Sequence, residues 1–329
     1  PRDRRRAAAI ADMTASLRHR GPDDDGVFVD EGAGLAFGFR RLSIIDLSPA
    51  GHQPMTSASG RFVITYNGEI YNHRELRAEL DDVAWQGASD TEVLLEACAR
   101  WGVDRTVRRL IGMFAIAVWD REERQLTLVR DRLGIKPLYY AASVDGVAWG
   151  SELKALRAGT GFDAPIDDDA LQLYFRLGYV PAPHTIYRGV RKLEPGCHVT
   201  FRAGAAPQVV RYWSAAEAAR AGAADPLALG DREAVEALDS LLGDAVSRRM
   251  IADVPLGAFL SGGVDSSSVV ALMQAHSSRP VRTFSIGFAE DEYNEAPFAR
   301  EVARHLGTEH TELYVSPGEA RSVIPMLPD

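Results

Sequence analysis

Cysteine is nearly absent from this sequence: Cys98 and Cys197 are the only two in 329 residues. A secreted disulfide framework would use more, so a reducing, cytoplasmic setting is expected. No Cys-x-x-Cys pair and no Cys/His cluster at zinc spacing occurs, and His19, His52 and His73 are scattered. That argues against metal binding by histidine. Long hydrophobic runs are missing too. The longest clearly apolar stretch, "MFAIAVW" at 113–119, is far too short to span a bilayer. The apolar patch after the basic start meets Asp12 too soon for a signal-peptide core, so the opening reads as an amphipathic helix to about Leu17. Positive charge is in deficit: 37 Lys and Arg against 46 Asp and Glu leave a net charge of −9. Nonspecific binding to nucleic acid or to an anionic membrane is therefore not expected, whereas a local anion pocket remains open.

What is present suffices for two globular domains: 46% hydrophobic and 25% charged residues over a length too great for one ordinary domain. Residues 26–71 read as short strands and turns, followed by helices at 73–80 and 90–101. "MFAIAVWD", "QLTLVRD", "LYYAAS" and "GVAWGSE" then form a run of strands with short turns. A helix near 167–177 and the strands "GCHVTF" and "VVRYW" close an α+β half. Residues 203–230 are Ala- and Gly-rich and hold the linker. Beyond it the order changes to a buried strand "PLGAFL", a helix at 266–276, the strand "VRTFSIGF", a helix at 295–306 and the strand "HTELYV". Strand alternating with helix predicts a parallel α/β sheet.

The second half carries "SGGVDSS" between a strand and a helix, the place where open α/β sheets bind ligands. Glycines let backbone approach a ligand closely, and the free N–H groups of a helix start favour an anion. Ser261, Gly262, Gly263, Ser266 and Ser267 supply these donors. Asp265 suits an anion site only if a divalent cation, Mg²⁺, bridges it to phosphate oxygens. A plain helix cap is the bland alternative for a lone Asp-Ser-Ser. The loop lacks the Lys of the G-x-x-x-x-G-K-[ST] pattern. It resembles the PP-loop of ATP pyrophosphatases, which bind the pyrophosphate part of ATP. By that resemblance Leu260 and Ile286, at the ends of adjacent strands, offer backbone to adenine as well as packing the core.

Upstream lie "RHRGPD" (18–23), "RRLSIID" (40–46), "YNGEIYNH" (66–73), "SDTE" (89–92), "RDRLGIKPLYY" (130–140) and "GSELKAL" (150–156). Together they resemble the glutaminase domain of class II glutamine amidotransferases. With the PP-loop behind, the order is similar to the glutamine-hydrolysing asparagine synthetase family across essentially the whole chain. The resemblance implies an α+β N-terminal-nucleophile fold, an αββα sandwich, over 1–213. A linker would span 214–230, and the start of an α/β parallel-sheet PP-loop domain, adenine nucleotide alpha-hydrolase-like, 231–329. It implies glutamine, aspartate and ATP as substrates with Mg²⁺, and is compatible with a homodimer.

The chemistry fits these residue types. A guanidinium pairs with the α-carboxylate of glutamine, and Arg41 matches that position. A carboxylate suits the ammonium, and Asp90 matches. The amide oxygen becomes an oxyanion under attack and needs preorganised donors, for which the Asn67 side chain and the Gly68 N–H match. Glu69 matches a residue that helps hold the substrate, and the backbone of Leu42, Ser43, Ile44 and Ile45 lines the same pocket. Taken singly, Arg41 is a solvated charge, "YNGE" a turn with glycine at positive φ, and Asp90 an N-cap with Glu92 near a capping-box position. Lys136 and Pro137 read as structural.

The family's nucleophile is a cysteine at the mature N-terminus, with its own amine as base. The sequence begins at Pro1, and Cys98 and Cys197 read as structural. A sequence truncated at both ends is the preferred expectation, a natural pseudo-glutaminase the other. A β-lactam synthetase-like ligase or another amidotransferase on a different carboxylate remains open.

Overall fold

The computed structural model describes residues 2–143, 146–159 and 162–327, so Pro1 and the closing Pro328 and Asp329 lie outside the described residues. The chain divides into two compact units, Pro1–Leu227 and Ala228–Asp329.

The first unit is built on a six-stranded antiparallel sheet. Its strands are β3 (Met55–Thr56), β4 (Phe62–Ile70), β5 (Gly112–Asp120), β6 (Gln125–Arg130), β10 (Cys197–Arg202) and β11 (Gln208–Arg211), in the order β11-β10-β6-β5-β4-β3. In β5 the residues from Phe114 to Asp120 are all buried, as an apolar strand covered on both faces should be. Successive side chains point to opposite faces. Ile64, Tyr66 and Ile70 of β4 and Phe114, Ile116 and Val118 of β5 pack on helix α3 (Asp90–Trp101) through Val93, Leu94 and Cys98. Val107 of α4 (Val103–Arg109) and Leu76 of α2 (His73–Ala78) join this core. The other face, with Val63, Ala115, Ala117 and Leu128, meets a second strand layer. That layer is the hairpin of β1 (Asp24–Asp30) and β2 (Leu35–Arg41), plus a small sheet ordered β8-β7-β9. The small sheet consists of β7 (Tyr139–Ser143), β8 (Gly146–Gly150) and β9 (Val190–Lys192). Phe37 of β2 and Trp149 of β8 touch edge to face, 5.4 Å between ring centroids. Helix α1 (Arg2–Ala15) packs on β2, and α5 (Leu153–Ala158) on β8. Helix, sheet, sheet, helix is the αββα arrangement that the resemblance implies. Helices α6 (Asp168–Leu177) and α7 (Ala215–Ala224) complete the unit.

The second unit begins with α8 (Asp231–Arg248) and has the expected parallel sheet, β12-β13-β14: Gly257–Phe259, Arg282–Gly287 and Glu309–Tyr314. Helices α9 (Val264–His276) and α10 (Ala296–Leu306) cover one face around Leu260, Val270, Ala299 and Ala303. Helix α11 (Pro317–Ser322) follows.

Local expectations need four corrections. Helix α1 stops at Ala15, and a 3-10 turn follows at Arg18–Arg20. The Ala- and Gly-rich stretch expected as linker holds a helix, α7, with no buried residue, after β11 in the expected strand "VVRYW". The strand in "PLGAFL" is not buried: Phe259 is 80% exposed because its face, shared with Phe284 and Ile286, is uncovered among the described residues. "YNGE" is not a turn either. It runs inside β4, and Gly68 does not have positive φ.

Candidate functional site

A cavity of about 420 Å³ opens in the first unit, walled in part by Arg41, Asn67, Gly68, Glu69, Asp90 and Lys136. Five of these six were singled out from sequence. They arrive from separate elements: the end of β2, the second half of β4, the first residue of α3, and the segment between β6 and β7.

Arg41 is only 8% exposed. Its guanidinium donates to the backbone oxygens of Ser48 (3.2 Å), Ile45 (3.5 Å) and Asp46, so it folds the following loop around itself. The fork is thus partly occupied, and among the described residues its Nε–H and one Nη1–H make no hydrogen bond. A Cβ on Gly51 would lie 1.9 Å from Nη2, so a larger residue there would push the Arg41 guanidinium out of its present position. Asp46 takes a left-handed conformation at φ 57° and accepts from the Ser48 N–H (3.0 Å), the Ser48 hydroxyl (2.5 Å) and the Ala88 N–H (2.7 Å). Burial raises its pKa, but these bonds outweigh burial and hold the carboxyl below the usual carboxylate range. The Ala88 bond ties the loop to the approach to α3. Leu42, Ile44 and Ile45 line the cavity, but Ser43 does not. Its N–H donates to Asp23 (2.8 Å), which joins "RLSIID" to "RHRGPD".

Along β4 the pleat sends Tyr66 and Ile70 into the α3 core, while Asn67 lies on the other side, where its amide reaches Ser151 Oγ at 3.4 Å. Gly68 is needed for close approach: a Cβ there would lie 2.1 Å from the carbonyl oxygen of Met113 on β5. Asp90 is 5% exposed. One of its oxygens, Oδ2, accepts from the Tyr66 hydroxyl (2.8 Å) and the Ile70 N–H (2.9 Å). Burial pushes its pKa up, against the pull of those bonds. Burial and the neighbouring Asp90 drive the Tyr66 phenol well above its ordinary value. Asp90 is not the helix cap. Ser89 caps α3, accepting from the Glu92 N–H at 3.2 Å, and Glu92 binds the N–H groups of Gln86 (2.7 Å) and Gly87 (2.9 Å) rather than completing a capping box. That division leaves Asp90 to face the cavity.

Sequence reasoning passed over several residues. Lys136 reads as part of a turn, yet it lines the cavity, and burial and then Arg20 lower its pKa. Arg20 and His19 also line the cavity, held by Glu152 at 2.8 and 2.9 Å. Buried Gln53 clamps Tyr66, and no spacing signal marks it. Cys98 and Cys197 are both buried, as expected. Burial pushes the Cys98 thiol up to about 12 and also raises Cys197, so neither is a nucleophile at neutral pH.

In the second unit Gly262 sits at φ 83°, and a Cβ there would come within 2.8 Å of Phe298 in α10. Helix α9 begins at Val264, earlier than expected, with Gly263 as its N-cap, so Asp265 and Ser266 lie in its first turn. Ser261 Oγ meets Ser266 Oγ at 2.9 Å, and the Gly263 N–H donates to Ser261 Oγ at 3.3 Å. Ser267 Oγ is buried with no partner among the described residues. Leu260 is buried and its N–H donates to the Phe284 carbonyl (2.8 Å), but β12 ends opposite Phe284 whereas β13 runs on to Gly287, so Ile286, on the open face, lies beyond the end of β12 and pairs with Leu313 of β14. Among the described residues no group of three or more His, Cys, Asp or Glu could hold a metal ion. Asp265 alone fits Mg²⁺ only in company with phosphate oxygens, the usual mode for that ion. No helix among the described residues is long and apolar enough to cross a membrane.

The family model described as "Glutamine amidotransferase domain" matches residues 2–213, and the one described as "Asparagine synthase" matches 237–329. A Mycobacterium tuberculosis protein provisionally named glutamine-hydrolysing asparagine synthetase is 41% identical over 98% of this chain and 50% of its own length. Glutamine-hydrolysing asparagine synthetase 1 of Bacillus subtilis is 39% identical over 97% of this chain and 49% of its own. The chain therefore spans about half the length of the curated relatives it matches. A solved structure of an allosteric regulatory enzyme of purine biosynthesis aligns with a TM-score of 0.47 at 14% identity, covering 95% of this chain and 78% of that one. The match of the first model over 2–213 shows that this chain belongs to the glutamine amidotransferase domain family, joined to a segment that matches the asparagine synthase family.

Proposed function

We propose that the first unit is a glutamine site and that the protein is a glutamine-hydrolysing asparagine synthetase, acting in the cytoplasm. Residues 1–213 would be the glutaminase domain, 214–230 the linker and 231–329 part of the PP-loop domain. One observation carries this reading: a buried guanidinium, a buried carboxylate and an Asn-Gly pair from three separate elements line one cavity. Arg41 would hold the α-carboxylate of glutamine, and Asp90, helped by Glu69, its ammonium. Asn67 Nδ2 and the Gly68 N–H would stabilise the oxygen of the side-chain amide as it gains charge. Cys98 and Cys197 are buried and do not line the cavity, so neither is assigned as the group that attacks that amide.

In the second unit the loop 261–267 would hold the pyrophosphate part of ATP, with the Ser261, Ser266 and Ser267 hydroxyls and the Gly262 N–H as donors and the Gly263 N–H released from Ser261 Oγ when phosphate binds. Leu260 and Ile286 would flank the adenine. Mg²⁺, held by Asp265 and the phosphates, would neutralise charge as aspartate is adenylated, before ammonia displaces AMP to give asparagine. The orphaned Ser267 hydroxyl supports a ligand at this loop.

Calorimetry with glutamine tests the first site. The Arg41→Lys and Asp90→Asn variants should each bind at least about tenfold more weakly, given about 1.5–3 kcal/mol for a hydrogen bond to a charged group. Unchanged affinity in both variants would remove the glutamine assignment.

A further inference from the structure

We propose that Tyr66 is a positioning residue, which aims the Asp90 carboxylate at the ammonium group of an α-amino acid in the cavity. This rests on the glutamine reading above. The Tyr66 hydroxyl and the Ile70 N–H donate to the same oxygen of Asp90, at 2.8 and 2.9 Å. The other oxygen is not engaged by β4. A carboxylate on a short side chain can still rotate about its last bond. Two donors from one strand on one oxygen stop that rotation.

Tyr66 is itself held on both sides. Its ring is 3% exposed in the α3 core. Its N–H donates to Gln53 Oε1 (2.7 Å), and Gln53 Nε2 donates back to its carbonyl (3.3 Å) and on to Thr91 Oγ1 (3.2 Å), the neighbour of Asp90. Strand β4 thus presents Asn67 and Gly68 and, through Tyr66 and Ile70, sets the direction of Asp90. One rigid element fixes the distance between the two ends of the substrate.

Around Asp90 the titratable groups are Tyr66 from β4 and His73 from α2, with Glu69 and Tyr71 acting on Tyr66. Removing the hydroxyl leaves a buried carboxylate with one donor fewer, and burial then favours its protonated form. An ammonium ligand needs the carboxylate. Affinity is therefore present above the Asp90 midpoint and lost as pH falls through it, and Tyr66→Phe should move that midpoint upward.

The experiment is calorimetry on the full chain across pH, with glutamine and with 4-carbamoylbutanoate, which lacks the α-amino group. Tyr66→Phe should bind glutamine about tenfold more weakly at neutral pH, the loss of one charge-assisted bond, and 4-carbamoylbutanoate as before. Its acid midpoint for glutamine should rise. Placing 3-fluorotyrosine at position 66, a stronger donor of nearly the same size, should lower that midpoint, and this arm stands even if the Phe variant fails to fold. Wild-type affinity and midpoint in both variants would overturn the proposal. So would equal losses for both ligands with an unmoved midpoint, the mark of a merely structural tyrosine. If the unmodified chain binds no glutamine, the glutamine reading fails and takes this proposal with it.

Discussion

Gly68→Ala is the sharpest test of how the site is built. The added Cβ would start 2.1 Å from the Met113 carbonyl oxygen and 2.8 Å from the Phe114 Cα, both backbone, and real Cβ contacts are essentially never under 3.0 Å. Strands β4 and β5 must therefore part by roughly 1 Å at this point, which stretches an ordinary ladder bond past about 3.5 Å. Two lost bonds at about 1 kcal/mol each, plus overpacking of about 1–3 kcal/mol, give roughly 3–5 kcal/mol. At about 2–4 °C per kcal/mol for a unit of this size, the melting temperature should fall by roughly 6 °C or more. The same movement shifts the Gly68 N–H, so glutamine affinity should drop with stability. Scanning calorimetry and glutamine titration read both. Gly222→Ala in exposed α7, where a Cβ meets nothing within 4 Å, is the control and should leave the melt unchanged or raise it. A Gly68→Ala protein that melts and binds like wild type would refute the close-approach argument.

In the second unit, Gly262→Ala forces a side chain into φ 83° and against Phe298, so a fluorescent ATP analogue should bind more than about tenfold more weakly, the equivalent of 1.4 kcal/mol. An unaltered titration would argue against a phosphate-binding loop. Asp120 sits below the usual carboxylate range. Burial raises its pKa, but the paired bonds from Arg61 at 2.9 and 2.6 Å and backbone donors outweigh it. Its stabilising contribution is present above the unfolded pKa of about 4 and lost as pH falls through the lower folded value, so Asp120→Asn should flatten the acid limb of a stability–pH profile. Cys98 and Cys197 should resist a thiol reagent at pH 7 until denaturant is added, and fast labelling of the native chain would contradict their burial.

Periodicity was enough to read the elements with strong local signals. Helix α3 runs over Asp90–Trp101 as its apolar spacing predicts, and the parallel order β12, α9, β13, α10, β14 follows from alternating strand and helix. Errors fall where a long-range contact decides. "YNGE" looks like a turn because Asn-Gly is turn chemistry, yet the strand continues because β5 pairs with it from Phe62 to Ile70. "PLGAFL" looks buried because it is apolar, but exposure depends on what covers a face, which a local window does not contain. Helix α7 grows from an Ala-rich segment whose helix propensity, rather than any packing, holds it.

The site shows the same division in a sharper form. Arg41 and Asp90 are legible through the motifs "RRLSIID" and "SDTE" and their joint occurrence with "YNGE", since taken singly each reads as structural. What makes them usable is not legible. A charge this deeply buried is tolerated only with partners, and the partners are chemically ordinary: three carbonyls for Arg41, a tyrosine and a backbone N–H for Asp90. Carbonyls leave no mark in a sequence, and Gln53 lies 13 residues from the tyrosine it clamps. The partners also take up bonding capacity, so Arg41 offers a ligand fewer donors than its residue type implies. On the proposed reading, recognition strength at this site depends on Asp46, Gln53 and Tyr66 as much as on the charges themselves. A chain that kept Arg41 and Asp90 but lost these three would keep the pattern and lose the support beneath it.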